Sequence, residues 1–279
     1  MRDEGLAQNG PLELTARTLA KHRRAFEAFT RPATAWVVEQ VDTTSTEVVD
    51  LACGIGDPAL SLAARVCAGR VTAVDRVPEF LVALRTEAAA RGLLNVHALT
   101  ADMRALPLRH ASADCVVSRL GIQFAPDASG VCDEIYRVLR PGGTTCHVVW
   151  GTPAQPLLRV TVLDVLAACG EPTPAVGVPG PFQFAQPGAL GELLRGSGFR
   201  DVREVTLEAA WVWPGDAASL WSFTRETSAM LFDPLFARLT AAERERVERR
   251  AQDALARYAS RSELQIPVQV HCAQATKRD

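Results

Sequence analysis

The chain has 279 residues, 48% of them apolar, with a formal net charge of −2. That is enough apolar residue for one large domain or a domain with an insertion, and the charge excludes electrostatic attraction to nucleic acid or a membrane surface. No run of 18 apolar residues occurs, the opening Met1-Arg2-Asp3-Glu4 lacks a signal-peptide core, and the seven cysteines are scattered without a C-x-x-C pair, so a cytoplasmic location with free thiols is expected.

Residues 1–10 read as disordered. From about Leu12 to Val41, apolar residues recur at helical spacing, and Arg31-Pro32 is expected to split the stretch into two helices. Residues 1–44 are read as a helical lid, ahead of a main domain over 45–279. Glu47 to Leu51 reads as a buried strand. It runs into Cys53-Gly54-Ile55-Gly56-Asp57-Pro58, a glycine bend with a proline in the first turn of the next helix. Arg70 to Asp75 is a second strand, Pro78 to Arg91 a helix, and Asn95 to Thr100 a third strand ending at Asp102-Met103. Ala113 to Ser118 is a fourth strand ending at Arg119. Ala128 to Leu139 is a helix, residues 140–143 a tight turn, and Thr144 to Trp150 a fifth strand. Alternation of this kind makes a doubly wound parallel sheet. A helix from Leu157, an irregular loop over 170–188, a helix from Ala189 and a strand from Val202 to about Trp213 follow. Helical periodicity over 216–260 precedes a last strand, Leu264 to Ala275. Segments 151–197 and 214–262 are read as a cap.

A strand–glycine bend–helix marks a nucleotide-type site at a carboxyl strand end. Read as G-x-G-x-x-A, residues Gly54, Gly56 and Ala59 fit a dinucleotide fingerprint, with Asp75 where a ribose acid belongs. Charge argues against it. A diphosphate wants a helix N-terminus free of anions, whereas Asp50 and Asp57 bracket this bend and suit a cationic ligand. Asp75 can accept from two ribose hydroxyls, and Asp102 can accept an exocyclic amine; a plain strand-end acid and a loop cap are their structural alternatives.

Taken together, Asp50 to Gly56, Asp75, Asp102-Met103 and Val138-Leu139-Arg140-Pro141-Gly142-Gly143 resemble the successive motifs of class I S-adenosylmethionine-dependent methyltransferases, nearest to the ubiquinone/menaquinone C-methyltransferase-like small-molecule group. The resemblance covers residues 45–151 strongly and the remainder weakly. Ala52 departs from the glycine frequent there. It implies a Rossmann-like seven-stranded sheet with its last strand antiparallel, and S-adenosyl-L-methionine held by Asp50, Ala52, Cys53, Gly54, Gly56, Asp75, Arg76, Asp102, Met103 and Arg119. Methyl transfer needs alignment in a dry site more than a base. His22, on the lid, is the base candidate; His147 lies mid-strand and reads as structural. Gln123, Trp150, Phe182, Phe184, Trp221 and Met230 are the substrate-side candidates and suggest an apolar acceptor. No metal spacing occurs. The expected partner is a small-molecule acceptor, natural-product or quinone-like, methylated at O, C or N; a homodimer is admitted. A protein using the cofactor site for a non-methylating step such as cyclisation, and a nicotinamide-dependent oxidoreductase, are the alternatives.

Overall fold

The computed structural model describes residues 9–278. Residues 1–8, and the expectation of disorder that falls on them, lie outside that range. Two compact units emerge. One comprises Pro32–Thr152, Pro174–Glu208 and the residues from Gln269 onward. The other comprises the residues up to Arg31, with Pro153–Thr173 and Ala209–Val268.

The first unit is the sheet. β1 (Glu47–Leu51), β2 (Arg70–Asp75) and β3 (Val96–Thr100) alternate with α3 (Ala59–Arg65) and α4 (Pro78–Ala90). The two N-terminal helices, α1 (Asn9–Lys21) and α2 (Arg23–Gln40), precede them. β4 (Ala113–Arg119), α5 (Ala128–Val138) and β5 (Leu139–Trp150) continue the pattern. α8 (Ala189–Gly196) leads to β6 (Arg200–Trp213), and β8 (Glu263–Thr276) closes the chain. Strand order is β3-β2-β1-β4-β5-β8-β6. β1 to β5 pair in parallel, and β8 lies antiparallel to β5, with Trp150 opposite Val270 and Thr144 opposite Thr276. A two-residue strand, β7 (Ala259–Ser260), pairs with the start of β8 and brings the count to eight. The order reverses at β1, which has β2 on one side and β4 on the other. That switch point opens a crevice at the carboxyl strand ends.

β1 is buried along nearly its whole length, as a strand covered on both faces must be. Its Val49 and Leu51 share a core with Val116, Ile135, Val138 and Leu190. α5 presents Val131, Cys132, Ile135 and Val138 to that core, and Asp127 caps its start by accepting from Gly130 N at 2.9 Å. Residues 140–143, expected as a turn ahead of β5, are instead a bulge within it. Leu139 pairs with Ala113, then Thr144 with Cys115, and Gly142 takes φ +73° between them.

In the other unit, α1 and α2 are separated at His22 rather than at Pro32, which lies inside α2. The backbone ladder barely falters there, with His22 N bonded to Thr18 O at 3.0 Å and Phe26 N to His22 O at 2.9 Å. The proline is tolerated where propensity alone predicts a break, since tertiary packing routinely overrides propensity. α6 (Pro156–Leu158) and α7 (Asp164–Ala168) flank a π turn over Arg159–Leu163. α9 (Ala217–Thr227), α10 (Ala229–Phe236) and α11 (Ala241–Ala256) complete this unit, the last begun by a reciprocal Thr240–Glu243 capping box. Its core is aromatic. Phe29 meets Trp211 and Trp213 edge-on at 5.3 and 5.9 Å, and Phe223 packs on Trp213 at 4.9 Å. No helix among the described residues is long and apolar enough to cross a membrane.

Candidate functional site

The site is built at the carboxyl ends of β1, β2 and β4. β1 ends at Leu51, and the chain turns at once through Ala52 with φ +55° and Gly54 with φ +53°. Ala52 bears a side chain in the left-handed region, a local strain of order 1 kcal/mol or more. A Cβ placed on Gly54 would meet nothing within 4 Å, so this face of the bend is open. Gly56 differs. With φ +121°, a Cβ there would come within 2.9 Å of Leu60 and 3.1 Å of Leu84, so its glycine serves packing of the bend on α3 and α4.

Asp75 ties this bend to the end of β2. Its Oδ2 accepts from Gly54 N and its Oδ1 from Val77 N, both at 2.9 Å. Burial pushes its carboxyl above the usual range, against the pull of those amides and of Arg76. Each oxygen keeps a lone pair beyond the backbone bond it accepts.

Asp50 does not bracket the bend as an exposed anion. It is wholly buried, and its Oδ2 accepts from Ala59 N at 3.0 Å, the first amide of α3. Its Oδ1 has no partner. Burial holds its carboxyl well above the usual range; Asp57 and Asp75 add to that, while the Arg119 charge opposes it. Asp57 is also occupied. Its two oxygens accept from Thr34 Oγ1 at 2.6 Å and Ser61 Oγ at 2.7 Å. Arg119, expected to meet a ligand, donates through Nη2 and Nε to the Asp57 carbonyl at 2.6 and 3.2 Å. The expected pair of anions is thus a helix clamp and a hydroxyl-bonded carboxylate, with a buried arginine on the Asp57 carbonyl. Burial weighs against the anionic form of Asp50, and Asp57 is held by two hydroxyls, so neither stands as a bare anion at the bend.

The remaining cofactor candidates divide. Cys53 is buried, its N bonded to Val74 O at 3.0 Å, and burial followed by the Asp50 and Asp75 charges pushes its thiol well up. Arg76 is exposed. Asp102 is gripped by its neighbour Arg104, whose Nη2 and Nε reach it at 2.6 and 3.0 Å, and this pair holds its carboxyl at about 2. Met103 packs against the core.

Among the substrate-side candidates, Gln123 and Trp150 come together. Gln123 sits in a 3₁₀ turn, Ile122–Phe124, after β4, and its Oε1 accepts from Trp150 N at 2.9 Å. Gln123 is fully buried and its Nε2 has no partner. Phe182 and Phe184 are buried, the latter within the sheet core. His22, Trp221 and Met230 belong to the other unit. There His22 meets Phe223 edge-on at 5.8 Å, Trp221 packs near Phe232 at 6.0 Å, and Met230 is 57% exposed. His147, with its ring against Thr145 Oγ1 at 2.8 Å, is buried mid-strand, which pulls it down to about 4. No group of three or more metal-ligating side chains exists among the described residues.

Sequence reasoning missed the Gly54–Asp75 bond, the strained Leu120 (φ +59°) after β4, and Gly121, whose added Cβ would strike Ala52 Cβ at 2.5 Å. The glycine in Leu120-Gly121 was the one available signal that the β4 end lies hard against the bend.

Residues 48–143 match a protein family described as a methyltransferase domain. An uncharacterized protein of Mycobacterium tuberculosis is 38% identical over 103 residues, 37% of this chain and 36% of that protein. The chain thus spans about a third of the length of the first curated relatives it matches. The demethylmenaquinone methyltransferase of Deinococcus radiodurans is 29% identical over 195 residues, 65% of this chain and 80% of that enzyme. In fold, the chain is similar to a Haemonchus contortus phosphoethanolamine N-methyltransferase solved with phosphomonomethylethanolamine and S-adenosylhomocysteine, at TM-score 0.58 and 16% identity, over 95% of this chain and 59% of that one.

Proposed function

We propose that this chain, whose residues 48–143 match a methyltransferase domain, is a class I S-adenosylmethionine-dependent methyltransferase that transfers the methyl of S-adenosyl-L-methionine to a small-molecule acceptor. The acceptor in this reading is quinone-like or a natural product, methylated at O, C or N. The similarity to a demethylmenaquinone methyltransferase favours a quinone-like ring.

The observation that carries the reading is the bond from Gly54 N to Asp75, made next to the open face of Gly54. It joins a bend with no side chain in the way to a buried carboxylate that can still accept. Asp75 would take the two ribose hydroxyls, one per oxygen. The bend at residues 52–56 would lie along the amino-acid part, and Met103 would supply an apolar surface for the base. When bound, S-adenosylmethionine supplies a methyl on a cationic sulfur, an electrophile with its leaving group already activated. The chain's share is to align the acceptor and exclude water, the chief term where no strong bond must be polarised.

Calorimetry tests it. S-adenosylmethionine and S-adenosylhomocysteine bind the wild type, and NAD does not. Tight NAD binding with none of the sulfur nucleoside overturns the reading. Release of S-adenosylhomocysteine with a product heavier by one methyl, over a quinol and phenol panel, separates methyl transfer from a cofactor site used for cyclisation.

A further inference from the structure

We infer that Gln123 binds the acceptor through an oxygen atom, and that it does so as a donor to an oxyanion; this rests on the methyltransferase reading above. The amide is held in one orientation. Its Oε1 accepts the Trp150 amide at 2.9 Å, so Nε2 points the other way and cannot exchange places with the oxygen. Nε2 is buried in a residue with no exposed surface and finds no partner. Two N–H donors left unmet in a protein interior cost about 1–3 kcal/mol, and native structures seldom keep such a group without use.

Its place gives the use. Gln123 follows the end of β4 and bonds the end of β5, so the amide bridges two carboxyl strand ends. Gly121, two residues earlier, abuts Ala52 of the glycine bend. On the other side, the Gln123 carbonyl accepts from Gly180 N at 2.9 Å, tying down the proline-rich loop. Close to these two residues in the chain, Phe124 is 55% exposed and Val178 47% exposed, both apolar. An apolar body and an oxygen acceptor describe a phenol, an enol or a hydroxyquinone. The buried histidines of this unit offer little as bases. His271 is held between Thr206 and the Ala185 carbonyl, and His147 lies mid-strand. A neutral amide answers the same need differently: it stabilises the deprotonated acceptor, whose proton leaves to water before transfer. The acceptor's electron pair, on that oxygen or on the carbon conjugated to it, then forms the bond to the methyl carbon, and the C–S pair departs to sulfur. Gln123 would thereby set specificity for acceptors already acidic enough to ionise.

The probe is 4-nitrophenol, whose phenolate band reports its ionisation while bound, titrated with and without S-adenosylhomocysteine. Wild-type protein should bind the phenolate roughly tenfold more tightly than the phenol, lowering the probe's apparent pKa by about one unit. Gln123→Leu should abolish that preference, and Gln123→Glu should reverse it. Gln123→Leu also removes the acceptor of the Trp150 amide, so its melting temperature should fall by a few degrees, and the probe pKa of the folded protein is the deciding readout. A melting temperature several degrees lower with an unchanged probe pKa makes the amide structural and overturns the inference. Failure of wild-type protein to bind the probe, or equal binding of both its forms, overturns it as well. Calorimetry with S-adenosylhomocysteine on the same samples tells such a failure from a failure of the cofactor reading.

Discussion

The two edges of the sheet treat a carboxylate in opposite ways. At the amino edge, Asp114 accepts from Thr46 N at 2.8 Å, Glu47 N at 2.9 Å and Thr46 Oγ1 at 3.0 Å, and from Arg140 Nη1 at 2.5 Å. Although burial works against them, these bonds bring its carboxyl below the usual range. At the carboxyl edge, Asp50 and Asp75 are pushed up by burial, and Asp50 Oδ1 and Gln123 Nε2 lack partners. A carboxylate answered by backbone amides, a hydroxyl and a guanidinium of its own chain stabilises the fold. One kept buried and under-bonded is destabilising unless a ligand completes it, which is why such groups gather at functional edges.

The sharpest way to break this contrast is Asp75→Ala. It should weaken S-adenosylhomocysteine binding by about 3 kcal/mol, roughly a hundredfold by calorimetry, and should also cost about 2 kcal/mol of stability, because it strands the Gly54 and Val77 amides. Asp114→Ala should cost stability alone. It strands two backbone amides and a guanidinium, so unfolding in urea should show a loss of about 2 kcal/mol with nucleoside affinity unchanged. Gly54→Ala should have a smaller effect, costing about 1 kcal/mol of stability for φ +53° and lowering affinity by putting a methyl on the open face. If affinity is untouched, that face does not meet the ligand.

Asp50 gives the pH test. Its folded pKa is raised above the ordinary 3.8, so its favourable term is complete below that pH and is lost as pH rises through the folded value. Asp50→Asn keeps an acceptor for Ala59 N and cannot ionise. Its melting temperature relative to wild type should therefore climb from pH 4 to pH 8. A difference independent of pH would mean that Asp50 is not under-solvated. Asp102→Asn should have the smallest effect, within about 0.5 kcal/mol, since its arginine partner is solvent-exposed.

Much of this was readable from the chain. The buried run Glu47 to Leu51, Gly54 and Gly56 in the bend, and the alternation through Trp150 determine a doubly wound sheet whose carboxyl edge carries the candidate nucleotide-type site. Apolar periodicity and glycine dihedrals are local properties, and local sequence encodes them. The antiparallel last strand came from the resemblance of joint motifs, and the cationic nucleoside from that resemblance together with the charges of Asp50 and Asp57. What only the tertiary structure decided is the state of each polar group: that Asp50 clamps α3, that Asp57 is taken by Thr34 and Ser61, that Arg119 grips a carbonyl, that Gln123 is left with two unmet donors. Charge and hydrogen-bonding capacity are written in the sequence, but desolvation and partnership depend on residues far away along the chain, and those come within reach only when the strands close on one another.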